Sequence, residues 1–472
     1  MKWSIAAPEI YYVAAALLFF FLSFVTRPDS KREYRLALIL SALGLAVALV
    51  SVRADGFLFI RAFRADLFSQ VFKVLLALGL FLVVYLCDEL QELRQRHLHD
   101  FYMLLFTCTL AMMLLVSAEH LLAIYLSLEL SSYSLYVLVA LRKNENFGLE
   151  SGIKYFLIGT FASAVMLFGM ALLYSATDAT YLGEIARALP VIIDRPVVLT
   201  SLFLILGGLF FKLAAFPFHF WAPDTYQGSI NQVAAYIATA SKVAAIAVVL
   251  RLVALAGQGS PYFSHVLVVL AIVSMTLGNL AAIVQKDIKR LLAFSTVAHA
   301  GYILIGVLAM SRAGYASVVF YALALLMMKF TAFFVVVKVA SDGHNLQIEQ
   351  LAGLHRRSPI LALALMVSLF SLAGIPPTAG FTGKFLIFVA AIEKGYFALV
   401  IIAMINVVIS LYYYLLVIKA AYLLEPAQEL RLAVSPSTKI LAGALVAGIV
   451  VLGLFPYKIM QVAGAAAQVL LH

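Results

Sequence analysis

Charge is what this chain lacks most. Asp, Glu, Lys and Arg make up 12% of its 472 residues, about half the roughly 25% of an ordinary soluble domain. Hydrophobic residues account for 64%, and the mean hydropathy is +1.04. A soluble fold is excluded on that ground, and a polytopic membrane protein is left. Cysteine is nearly missing too. Cys87 and Cys108 lie beside or within apolar runs without metal-ligand spacing, which excludes a Cys framework for an iron–sulfur cluster and reads as buried structural thiols. A phosphate loop, a GxGxxG after a strand and a paired-histidine haem pattern are also lacking, so the chain shows no equipment for redox chemistry. The formal charge of +10 is scattered singly or in pairs over short loops. That argues against nucleic acid and for basic loops facing the cytoplasm.

What is present is a series of long apolar runs. A hydrocarbon core of about 30 Å asks for about 20 apolar residues per helix, and the runs are continuous instead of alternating as in a barrel. The expected fold is all-α and polytopic, with about 14 transmembrane helices near 9–25, 36–52, 67–87, 101–117, 119–141, 153–175, 197–220, 229–251, 262–284, 289–310, 314–340, 358–391, 397–424 and 437–457. MKWSIAAPEI carries one lysine and no convincing cleavage site follows, so the first span is expected to be retained. The longest run holds Gly374, Pro376, Pro377, Gly380 and Gly383, which predicts two half-helices joined by an extended stretch. The seventh span has a similar fault at Pro217, with Pro223 beyond it. LAAFP at Leu213–Pro217 matches LAGIP at Leu372–Pro376. The two spans holding these motifs are five apart in the order of helices, so the copies cross the membrane in opposite directions, the signature of an inverted repeat with two discontinuous helices. The basic clusters Arg27–Arg35, Lys286–Arg290 and Arg356–Arg357 favour a cytoplasmic position for their loops and both termini on the outer side.

Several charged residues sit at mid-depth, where an ammonium costs roughly 2.5–3.5 kcal/mol on insertion scales. They are Glu129, Lys212, Lys242 and Lys384, and a proton path is the natural offset. Lysine suits a relay because burial moves its pKa from about 10.4 toward neutrality, whereas arginine stays charged. Lys212 is the expected partner of Glu129, since each lowers the other's burial penalty. His299, within the tenth span, can pass protons through its two ring nitrogens, and Lys329 and Lys154 are further candidates. Blander readings stand beside these: a capping or hydrogen-bonding role for Glu129, snorkelling for Lys384, a hydrogen-bonded core position for His299 and an interfacial one for Lys154. Lys73, near its span start, is expected to snorkel.

WAPDTYQG, IKRLLAFSTVAHAGYILIG, LAGIPPTAGFTGKF, KYFLIGTFASAVMLFGMALLY and SLYYYLLVIKAAYL with its run Tyr412–Tyr414 together resemble the antiporter-like membrane subunits of respiratory complex I, most closely the subunit N branch. The resemblance covers residues 100–425. It implies two inverted five-helix repeats: helices 1–3 in residues 1–100, a first repeat in 101–255, a second in 256–425 and helix 14 in 426–472. It also implies a non-redox, proton-translocating subunit of a bacterial inner-membrane NADH:quinone oxidoreductase, with Glu129, Lys212, Lys242, His299 and Lys384 as the proton path. No cofactor is expected in this chain; FMN, iron–sulfur clusters and quinone are expected in partner subunits, and the partners are other membrane-arm subunits and the lipid bilayer. Lys329 resembles a lysine of a sister subunit. The alternative is a subunit of an Mrp-type cation/proton antiporter, or of another complex-I-like dehydrogenase or hydrogenase.

Overall fold

A computed structural model describes residues 3–143, 146–256, 260–425 and 432–471. The chain begins with α1 (Ala7–Val25), α2 (Ser30–Val50), α3 (Leu67–Tyr85), α4 (Leu98–Ser117), α5 (Leu121–Ala140) and α6 (Asn146–Thr177). A short α7 (Leu182–Ile192) leads to α8 (Pro196–Leu213), α9 (Trp221–Gly228), α10 (Asn231–Ala238) and α11 (Ala240–Ala256). Then come α12 (Pro261–Ile283), α13 (Ile288–Leu308), α14 (Arg312–Val339), the single turn α15 (Leu354–Arg357), α16 (Pro359–Ala373) and α17 (Ala379–Glu393). The chain closes with α18 (Phe397–Leu423), α19 (Pro436–Leu454) and α20 (Tyr457–Gln468).

Among the described residues, thirteen helical stretches are long and apolar enough to cross a membrane, and α16 and α17 are shorter helices of 15 residues each on either side of the second break. The chain is thus a multi-pass membrane protein. The α10–α11, α13 and α14 spans are 100%, 94% and 89% buried, against 22–39% for α1, α2, α6, α12, α18 and α19. The central helices are apolar all round, as a helix enclosed by others must be, and they carry Lys242, His299 and Lys329.

Both expected breaks are present. At the end of α8, Ala214 adopts a left-handed conformation (φ 62°), and at the end of α16 Gly374 does the same (φ 91°). In each, the next residue donates its N–H to a carbonyl five positions back, Ala215 to Phe210 at 2.9 Å and Ile375 to Phe370 at 3.0 Å. This is the Schellman closure of a helix C-terminus. The left-handed residue falls one position later in LAGIP than in LAAFP, so the two breaks are alike in form and shifted in register. Gly380 is required where α17 passes α16, because a Cβ there would lie 1.8 Å from the Ser371 carbonyl oxygen.

The structure departs from the sequence reading in four places. The eighth span is interrupted at Thr239 (φ −114°, ψ −86°), a third break that no glycine or proline announces. A β-hairpin, β1 (Gly56–Leu58) with β2 (Phe63–Ala65), links α2 to α3. After α19 the chain turns back, and α20 packs on α14, with Arg312 Nε donating to the Gly464 carbonyl at 3.2 Å. Lys73 does not snorkel: it is wholly buried and pairs with Glu9 of α1 at 2.6 Å. Glu9 and Lys73 lie near the starts of parallel spans, so the two charges meet at one depth.

A second ionic cluster ties the same membrane face together. Arg251, at the end of α11, binds Asp66 at 3.2 Å and also Glu119, and donates to the Val116 carbonyl. Burial pushes the Asp66 carboxyl up, but the Arg251 guanidinium and the Ser69 hydrogen bonds outweigh it and hold it below the ordinary carboxylate range.

Two outcomes follow from this packing. Gly380→Ala is expected to prevent stable folding, read as loss of the cooperative thermal transition in detergent, whereas Gly443→Ala, where a Cβ meets open space, keeps it. Glu9→Ala leaves the Lys73 ammonium alone and is expected to cost about 3–5 kcal/mol. Replacing both partners with apolar residues, Glu9→Leu with Lys73→Met, is expected to restore most of that loss in the same melting assay.

Candidate functional site

The breaks create the site. A helix C-terminus leaves its last carbonyls without intrahelical donors and carries partial negative charge. In α8 the carbonyl two residues before the left-handed position, that of Lys212, accepts from Lys242 Nζ at 2.7 Å. In α16 the carbonyl at the same distance from its left-handed residue, that of Leu372, accepts from Lys384 Nζ at 2.8 Å, and Ala373 adds a second acceptor at 3.1 Å. Each ammonium also lies over an aromatic face, Lys242 at 4.5 Å from the Trp221 ring and Lys384 at 4.6 Å from the Tyr302 ring. Desolvated cation–π contacts of this kind contribute about 2 kcal/mol. The bare cost of the two lysines is met by carbonyls and rings, without a carboxylate.

Lys212 is 1% exposed and donates to Ser131 Oγ at 2.6 Å and Ser132 Oγ at 3.4 Å on α5. The expected Glu129–Lys212 ion pair is not formed within 4.0 Å among the described residues. Glu129 is buried, and no cationic side chain pairs with it among the described residues. Ser131 and Ser132 of α5 take the Lys212 ammonium instead.

Lys329, left without a role by the sequence reading, lies centrally. Its ammonium donates to the Leu292 carbonyl at 2.8 Å and to the Ser295 hydroxyl on α13. Ser295 accepts from Tyr414 OH at 2.8 Å, and Tyr414 OH faces His299 Nε2 at 3.4 Å. The other ring nitrogen of His299 meets Tyr321 OH at 2.7 Å. Lys242, Thr296, His299 and Lys329 all line one enclosed cavity, with room for about one water molecule. The His299 ring packs edge-on to Tyr302 at 5.8 Å, and Tyr302 carries Lys384 on its face. Lys212, Lys242, Lys329, His299 and Lys384 therefore form one buried row through the middle of the bundle. Lys154 stands apart, exposed at a rim and bound to Glu150 at 2.7 Å and Asp224 at 3.1 Å.

Among the participants that escaped the sequence reading are Trp221, Tyr302, Ser295 and Tyr321, described above, and Ser131, Ser132 and Lys289. Ser131 and Ser132 look like ordinary small helix residues. Lys289 is wholly buried in the first turn of α13, where it donates to the Ser229 carbonyl at 3.0 Å. The signal for it was available: a lysine at a helix N-terminus opposes the macrodipole.

A multi-pass bundle with two helix breaks of like form, each closed by a lysine, is the build of an antiporter-like membrane subunit. The chain belongs to the family described as NADH:quinone oxidoreductase/Mrp antiporter, whose transmembrane model matches residues 118–410. It is 66% identical over 472 residues, the whole of both chains, to NADH-quinone oxidoreductase subunit N 2 of Syntrophobacter fumaroxidans. It is 41% identical over 457 residues to a protein of the same name from Opitutus terrae, covering 95% of this chain and 94% of that one. A chain of respiratory complex I from Thermus thermophilus superposes with a TM-score of 0.84 at 34% identity, covering 96% and 98% of the two chains. A chain of the Mrp complex from Dietzia sp. matches at 0.89 with 21% identity over 100% and 98%, a likeness of fold alone.

Ser131→Ala removes the nearest acceptor of the Lys212 ammonium. It is expected to cost about 1.5–3 kcal/mol in thermal stability, the range for a hydrogen bond to a charged group. Ser131→Thr, which keeps the hydroxyl, is expected to stay near the parent.

Proposed function

We propose that this chain is the proton-translocating subunit N of a bacterial NADH-quinone oxidoreductase and that protons move along the buried row Lys212, Lys242, Lys329, His299 and Lys384. The observation that carries the reading is the pairing of both helix breaks with lysines whose ammoniums are held only by neutral acceptors. A lysine bound to a carboxylate keeps its proton; one held by carbonyls and hydroxyls in a poorly hydrated site gives it up to a modest electrostatic change. Glu129 supplies that change. Its carboxylate is in no ion pair among the described residues, so a charge or shape change in a neighbouring subunit can move it relative to Lys212.

From Lys212 the perturbation reaches Lys242 directly, because Lys242 is bound to the Lys212 carbonyl. Lys242 and Lys329 share the central cavity with His299, and one water there would complete the transfer. Tyr414, Ser295 and Tyr321 orient His299 and Lys329, and Lys384 is the release group beyond Tyr302. Lys154 lies outside the row and has no step in it. The chain itself carries no redox centre in this reading, and FMN, iron–sulfur clusters and quinone belong to partner subunits. The halves 101–255 and 256–425 act as inverted repeats. Both termini face the outside of the inner membrane, and the loops bearing Lys286 and Arg356 face the cytoplasm.

In the intact complex reconstituted into liposomes, Lys242→Met is expected to lower the number of protons translocated per NADH oxidised. Wild-type stoichiometry in that variant would remove this chain from the proton path.

A further inference from the structure

A second group of buried polar side chains lies between the lysine row and the membrane face that carries the α3–α4 and α14–α16 loops. Glu92, in the α3–α4 loop and 9% exposed, pairs with Arg142 at 2.6 Å and accepts from the Asn231 backbone N–H at 3.2 Å. It opens onto a small cavity lined also by Asp88, Glu89, Asn231, Gln232 and Lys338, with room for roughly one or two water molecules. Asn231 is 1% exposed and borders this cavity, yet neither its side-chain oxygen nor its nitrogen has a protein partner. Buried amides are almost always hydrogen-bonded, so water is the partner that remains. Further in, the Tyr226 hydroxyl is fully buried and lies against the Thr296 hydroxyl. Thr296 in turn lines the inner cavity shared by Lys242, Lys329 and His299.

The Asn231 amide and the Tyr226–Thr296 hydroxyl pair thus lie between Glu92, a solvent-side acid, and the cavity of the buried lysines. We propose that this is the mouth through which protons reach the row: Glu92 takes the proton from solvent, and Asn231, Tyr226 and Thr296 position the water that carries it to Lys242 and Lys329. The assignment rests on the translocation reading above and adds to it the uptake side and the uptake residue. Burial raises the proton affinity of Glu92, with Lys289 and Arg142 opposing it, so the carboxyl is suited to holding a proton before passing it inward. In the orientation given above, the mouth opens to the cytoplasm.

The test uses the intact complex in liposomes, with protons translocated per NADH oxidised as the readout. Tyr226→Phe removes a single buried oxygen and is expected to fold normally while reproducing the loss seen in Lys242→Met. Glu92→Gln is expected to show the same loss, and Glu92→Asp to recover. In the parent, translocation falls as pH on the Glu92 side rises through its pKa; in Glu92→Gln that dependence disappears, although Arg142, Lys289, Asp88, Glu89 and Lys338 all remain around the site. Normal translocation in both Tyr226→Phe and Glu92→Gln, with Lys242→Met impaired, overturns the mouth and leaves the lysine row standing. A normal Lys242→Met overturns the translocation reading itself. If Glu92→Gln assembles poorly but keeps the parental pH profile, Glu92 is a structural partner of Arg142 and the proposal fails.

Discussion

The contact between a lysine ammonium and the carbonyls freed by a broken helix is the constraint on which this molecule depends. A continuous helix offers no acceptor at mid-membrane, and an isolated ammonium there is costly. Breaking α8 at Ala214 and α16 at Gly374 solves both problems at once. The freed carbonyls need donors, and Lys242 and Lys384 need acceptors. Trp221 and Tyr302 complete each site with an aromatic face. The result is a cation that is stable enough to be buried and that, among the described residues, is held by neutral oxygens and a ring instead of a carboxylate.

The remaining architecture positions these two sites. The α10–α11, α13 and α14 helices are enclosed on all sides and bring Lys242, His299 and Lys329 to a common cavity. The outer helices separate this interior from lipid, and ionic clusters fix the outer packing, with Glu9 against Lys73 and Arg251 against Asp66 and Glu119. The two kinds of charge have different partners. Charges that clamp helices together are matched by opposite charges, whereas the lysines of the central row are matched by neutral oxygens.

Much of this was legible in the sequence because it follows from cost. Apolar run length located the spans, and Pro217, Gly374, Pro376 and Pro377 marked two breaks, since those residues interrupt helices by their own chemistry. Lys212, Lys242 and Lys384 stood out because a mid-depth ammonium is rare. What was hidden depended on neighbours distant in the chain. Thr239 carries no breaking signal, and the interruption there arises from tertiary packing. Lys73 near a span start is indistinguishable from a snorkelling lysine until α1 brings Glu9 to the same depth. The Glu129–Lys212 pairing was reasonable from charge alone, but the Ser131 and Ser132 hydroxyls take the Lys212 ammonium. Lys329 gained a place only when α13 and α14 were seen side by side.

The central claim is that neutral acceptors hold the lysines and that water joins them in one row. A high-resolution structure of the assembled complex, with waters resolved, tests it most directly. Density for an ordered water within hydrogen-bonding distance of Lys242, Lys329 and His299, with Lys242 Nζ still on the Lys212 carbonyl, is the expected result. A dry cavity there, or Lys242 paired with a carboxylate of this chain or a neighbour, would contradict the account.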